Sequence, residues 1–74
     1  MRKEDILKEK EITNQYGVTT RYTLEKWYKV LPSGIEYNVE YVVRAYNVGG
    51  IGGYLRVYKK LANAIKDSYV EKYL

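Results

Sequence analysis

Cysteine, histidine and phenylalanine are absent from these 74 residues, and proline, methionine and tryptophan occur once each. Without cysteine there is no disulfide framework and no thiolate chemistry. Without histidine as well, zinc sites of the usual kind have no ligands. Serine–histidine pairs and cysteine nucleophiles are likewise excluded, so any catalysis would fall to carboxylates, lysine, arginine or tyrosine. Long apolar runs are also missing, which argues against a membrane-spanning helix. The opening Met1-Arg2-Lys3-Glu4-Asp5 mixes charges and leads into no apolar stretch, unlike a secretory signal. The expectation is an intracellular, cytoplasmic chain with no cofactor, no metal and no membrane partner.

What is present points the same way. A chain this short forms one domain with a modest core, which leaves little room for a deep cleft and favours a binding module over an enzyme. Lysine and arginine outnumber aspartate and glutamate by 13 to 9, a net charge of +4. Residues 1–40 balance at seven of each, so the whole excess lies in residues 41–74, which carry six basic and two acidic side chains. That asymmetry suits an acidic partner. Tyrosine occurs ten times, and its apolar ring with a polar tip suits half-buried sheet positions and contact surfaces. Lys, Tyr, Ile and Asn, all with AT-rich codons, suggest a low-GC genome such as that of a phage or an archaeal virus.

Period-two alternation is the main structural signal. Val18–Leu31 is rich in β-branched and aromatic residues and reads as a strand. Pro32-Ser33-Gly34 then suits a type I turn closed by a glycine bulge. From Ile35 to Val48, one face holds Ile35, Tyr37, Val39, Tyr41, Val43 and Ala45, and the other holds Glu36, Asn38, Glu40 and Arg44. Gly49–Gly53 reads as a loop into a third strand, Tyr54–Tyr58. A competing reading runs one helix from Gly53 to Leu74. From Lys60 to Tyr73 the spacing is helical, with Leu61, Ala62, Ile65, Tyr69 and Tyr73 on one stripe. Val70 and Leu74 fall off it and are available to a dimer contact. Residues 1–17 are ambiguous between a charged helix over Glu4–Glu11 and a strand over Glu11–Tyr16, ending in a turn at Asn14–Gly17. The fold expected is α+β, a single domain over 1–74. A three-stranded antiparallel β-meander occupies 18–58, with a fourth strand available from the N-terminal segment, and one C-terminal amphipathic α-helix over 60–73 packs on one face.

Pairing Val30 with Ile35 sets Tyr28 against Tyr37, Leu24 against Tyr41 and Tyr22 against Val43. It also sets Arg21 opposite Arg44 and Glu25 opposite Glu40. The arginine pair calls for a bound anion or a carboxylate from the N-terminal segment. The glutamate pair calls for Lys29 or an N-terminal lysine. If Val48 faces Tyr54, then Arg56 joins the same outer face, beside Tyr46, Tyr54 and Tyr58, while Leu55 and Val57 join the core face. Lys59 and Lys60 follow. A basic patch interleaved with aromatics can neutralise phosphates and stack on bases. A sheet with one backing helix is also similar in architecture to the sheet-type DNA readers.

The candidate nucleic-acid-binding residues are therefore Arg21, Arg44, Arg56, Lys59, Lys60, Tyr46, Tyr54 and Tyr58. The solvated, self-packed surface is the alternative for the same residues. The Gly49–Gly53 loop lacks the Gly-Lys-Ser/Thr ending of a phosphate loop and reads as a hairpin connection. Trp27 and an outward Val42 are candidate protein-interface residues, unless the N-terminal segment covers Trp27. Two functions follow: a small basic nucleic-acid-binding protein, such as a regulator from a virus or mobile element, or a protein-interaction module docking on a host protein. A homodimer is compatible with either, and no catalytic residue is expected.

Overall fold

The fold was analysed in a computed structural model that describes residues 2–50 and 53–74. Four strands, β1 (Lys3–Thr13), β2 (Thr19–Val30), β3 (Glu36–Asn47) and β4 (Gly53–Tyr58), precede two short helices, α1 (Leu61–Ile65) and α2 (Ser68–Tyr73). The strands form one antiparallel sheet in chain order, a four-stranded meander, and the helices lie on one side of it. The α+β meander expected from the alternation is thus present, and residues 53–58 are strand rather than helix.

The N-terminal segment is the fourth strand. Its register runs from Lys3 opposite Tyr28 to Thr13 opposite Thr19, with an irregularity at Leu7. Asn14 closes the first hairpin, since its side-chain oxygen accepts from the amides of Tyr16 and Val18. Gly17 takes the left-handed conformation there that a side chain would resist. The second hairpin has the expected turn. The Gly34 amide donates to the Leu31 carbonyl and the Leu31 amide to that of Ile35, with Gly34 at a φ of 93°.

Between β2 and β3 the register departs from expectation. Lys29 pairs with Tyr37, but Trp27 pairs with Glu40, so Asn38 and Val39 both oppose Tyr28. Asn38 has a φ of 53°. This is a bulge, and asparagine tolerates the left-handed backbone it needs. Beyond it, Leu24 faces Val43 and Tyr22 faces Ala45. Leu24, Tyr22, Val43 and Ala45 stay on the side assigned to them, but each partner shifts by two residues. Before the bulge the faces reverse: Tyr37 lies opposite Lys29, away from Tyr41's side.

The β3–β4 register differs by three residues. Ala45 faces Tyr54, Val43 faces Arg56 and Tyr41 faces Tyr58. An odd shift exchanges the two sides of a strand. Tyr54, Arg56 and Tyr58 therefore lie on the helix-bearing side, and Leu55 and Val57 on the open side. The pairing ends at Tyr46 and Gly53, two residues earlier on β3 and one earlier on β4 than expected, and beyond it the Gly50 amide donates to the Asn47 carbonyl in a tight turn. The Gly49–Gly53 loop falls partly outside the described residues.

The C-terminal helix is two helices. Asp67 is extended at a ψ of 139° and caps α2 by accepting from the Tyr69 amide. On α1, Ala64 is buried and Leu61 and Ile65 are exposed; past the break, α2 buries Val70. Val70 is thus core rather than a dimer contact. The core joins Leu24, Val43, Ala64 and Val70, with Tyr41, Tyr54, Tyr58, Tyr69 and Leu74 packed around it. Tyr22 stacks on Tyr73 with ring centroids 4.1 Å apart. No helix among the described residues is long and apolar enough to cross a membrane.

Candidate functional site

Strand alternation divides the charged side chains between the two sides of the sheet. The open side receives Arg2, Arg21, Lys29, Arg44 and Lys59 against Glu4, Glu9, Glu11, Glu25 and Glu40, five of each. The helix-bearing side receives Lys3, Lys8, Lys10, Lys26, Arg56, Lys60, Lys66 and Lys72 against Asp5, Glu36, Asp67 and Glu71, eight against four. The entire excess of +4 therefore sits on the helix-bearing side.

On the open side nearly every cation is paired. Arg21 does not oppose Arg44; it lies between Glu11 and Tyr46 and forms ion pairs with Glu9 and Glu11. The arginine pair that called for a bound anion or an N-terminal carboxylate is therefore absent, and these two glutamates of β1 pair with Arg21 alone. Its guanidinium pKa is raised, by Tyr46 first and then by Glu9. Arg44 faces Thr23 and reaches Glu25 at 3.4 Å. Glu25, only 5% exposed, faces Val42 rather than Glu40 and also accepts from Thr23 at 2.7 Å and the Trp27 indole at 3.0 Å. A buried carboxylate needs such donors. Glu40 pairs with Lys59 at 3.7 Å.

Trp27 is half-buried, with the Arg2 guanidinium 4.0 Å from its ring, so the N-terminal segment does cover it in part. Val42 is on the open side as expected but is 0% exposed, enclosed between Glu25 and Val57. Its exposure, the premise of its interface role, is absent. The outer patch expected from the sequence is thus divided. Arg21, Arg44, Tyr46 and Lys59 share the open side; Arg56, Tyr54, Tyr58 and Lys60 do not.

On the helix-bearing side the pattern inverts. Lys26 pairs with Glu36 at 2.6 Å; among the described residues Lys3, Lys8, Lys10, Arg56, Lys60, Lys66 and Lys72 form no ion pair. Tyrosines lie between them. Arg56 is 5.8 Å from the Tyr54 ring and Lys72 is 5.3 Å from the Tyr73 ring. A shallow hollow of about 390 Å³ opens at one end, lined by Thr20, Tyr22, Asn47, Tyr54 and Tyr69 among others.

Asp67 organises this side. One of its oxygens accepts from Tyr58 at 2.5 Å and Tyr54 at 2.8 Å, and the other caps α2. Burial opposes its ionisation, but the phenols, the Tyr69 amide and nearby Arg56 outweigh it and hold the carboxyl below its ordinary value. The Tyr54 phenol is pushed up to about 12, first by burial and then by its bond to Asp67. Sequence reasoning missed Asp67. An aspartate inside a helical pattern, followed by Ser68, is a cap signal that could have found the helix break, but not its tyrosine partners. Comparison with family models, with curated proteins and with solved structures finds no match for this chain.

Proposed function

We propose that the protein binds nucleic acid through its helix-bearing side. The observation that carries this reading is the charge division: all four excess positive charges fall there, and all but one of its lysines are free of carboxylate partners among the described residues. Phosphates would be met by Lys60, Lys66 and Lys72 on the helical layer, by Lys8 and Lys10 on β1, and by Arg56. The interleaved tyrosines supply surfaces on which bases can stack. Arg21 and Arg44, engaged by glutamates, would support the sheet rather than contact phosphate. The composition suits a regulator of a virus or mobile element.

Docking on a host protein through Trp27 and Val42 has less support, because one is half covered by Arg2 and the other is enclosed.

Fluorescence anisotropy of labelled DNA and RNA across a salt series tests the reading. Affinity should fall steeply with salt. In a Lys60→Gln/Lys66→Gln/Lys72→Gln variant the slope should lessen by about 0.9 for each duplex phosphate that is no longer neutralised. Lys29→Gln, an exposed change on the open side, should leave it unaltered. Absence of binding at low salt, or a triple variant that binds as the parent does, would sink the proposal.

A further inference from the structure

The two edges of the sheet are built differently. β1 carries seven charged residues in eleven and a register irregularity at Leu7. Both features discourage a further strand from pairing. β4 has neither. Arg56 is its one charge in six residues, and it exposes Leu55 (55%) and Val57 (42%) on the open side. α1 lies over β3 and β4 and leaves Leu61 and Ile65 exposed. Unpaired backbone groups flanked by apolar side chains are a template for strand addition.

We propose that β4 pairs antiparallel with β4 of a second copy, about a two-fold axis normal to the sheet, to give a closed dimer with an eight-stranded sheet. Charge selects this occupant. Such an axis keeps each side of the sheet facing its own kind. At β1 it would gather Glu4, Glu9 and Glu11 with their counterparts on one side, and Lys3, Lys8 and Lys10 on the other, which is repulsive. At β4 the axis must pass through a residue, because passing between two would mix the sides. Centred on Arg56, it would set two guanidiniums together. Centred on Leu55, it sets Leu55 against Leu55 of the second copy, and Arg56 against the ring of Tyr54 in that copy. The Leu55 register replaces that repulsion with a cation–π contact and pairs Gly53 through Val57, whereas an axis through Val57, which would set Arg56 against Tyr58, pairs only Arg56 through Tyr58 of β4. A β4-to-β1 pairing would place Leu55 and Val57 beside glutamates and leave edges open for continued growth.

The contact is small, so association should be weak and concentration-dependent. It leaves both helix-bearing sides facing the same way, which doubles the basic surface.

Size-exclusion chromatography with light scattering, on the full chain from about 1 µM to about 1 mM, tests the proposal without nucleic acid, so its result is separate from the functional reading. The mass should rise from 8.7 kDa towards twice that value. Val57→Lys, at a position already exposed, should hold the mass at 8.7 kDa with an unchanged circular dichroism spectrum. The register has its own test in a chain with no natural cysteine. Oxidised Leu55→Cys should give a disulfide-linked dimer, since residues directly opposed in paired strands lie within disulfide reach. Val57→Cys should not, since its counterpart is displaced by four residues, roughly 13 Å along the strand. A mass of 8.7 kDa at every concentration, an open-ended series of larger species, or cross-linking at Val57 rather than Leu55 would overturn it.

Discussion

At the scale of single residues, two buried carboxylates hold opposite sides of the sheet together. Glu25 gathers Thr23, Trp27 and Arg44 on the open side. Asp67 ties β4 to the start of α2 through Tyr54 and Tyr58 on the other. Asp67→Ala removes a helix cap and two charge-assisted bonds, and should lower stability by about 3 kcal/mol in urea denaturation. The same group sets a pH dependence. Its folded pKa is depressed, so its contribution is complete above the ordinary value of 3.8 and is lost as pH falls below that through the folded value. Tyr54 works in the other direction. Its folded pKa is raised, so its contribution is complete below the ordinary value of 10.0 and is lost as pH rises towards about 12. Thermal melts should show a fall at each end; Asp67→Ala should remove its part of the acid fall and lessen the alkaline one, which burial of Tyr54 sustains.

At the scale of elements, the Asn38 bulge and the break at Asp67 shape the molecule most. The bulge lets a hairpin whose turn sets one register continue in another, and so brings Leu24 to Val43 beneath the helices. Asn38→Val, placing a β-branched residue at a positive φ, should cost about 1–2 kcal/mol, whereas Asn38→Gly should be tolerated. Equal stability of the two in chemical denaturation would mean that the bulge is not maintained by that backbone. Helices of five and six residues have little stability of their own. Their persistence depends on the tyrosines beneath them and on Asp67.

At the scale of the whole molecule, a thin core supports a wide sheet. The Cα envelope measures 49 × 25 × 17 Å, and the fully developed core is confined to the part the helices cover. Leu24→Ala, at the centre of that region and 2% exposed, should therefore cost about 3 kcal/mol and lower the melting midpoint by on the order of 10 °C. The charge division belongs to this scale too. Neither half of the chain contains it, because Lys8 and Lys10 from β1 and Lys60 to Lys72 from the helical layer converge only once the sheet is formed. The sequence assigned the excess to residues 41–74, a statement about the chain that does not specify a surface.

The amino-acid sequence by itself determined the class of fold. Period-two alternation, the Pro32–Gly34 turn, the Asn14–Gly17 turn and the switch to helical spacing after Tyr58 are local signals, set by side-chain chemistry over a few residues. It also determined which faces of β2 and central β3 turn inward, since Tyr22, Leu24, Tyr41, Val43 and Ala45 can be read without knowing their partners. β1 was harder to read because its seven charges suit a solvated helix as well as a solvated edge strand; pairing with β2 decided between them. Only the tertiary structure decided which residues meet. A bulge at Asn38 and an early turn at Asn47–Gly50 changed two registers, by two residues and by three. The even shift preserved the core face, while the odd one moved Arg56, Tyr54 and Tyr58 to the opposite side of the sheet. Registers are settled by backbone pairing and packing summed over whole strands, so a single residue in a loop can redistribute a surface that the sequence pattern leaves unchanged.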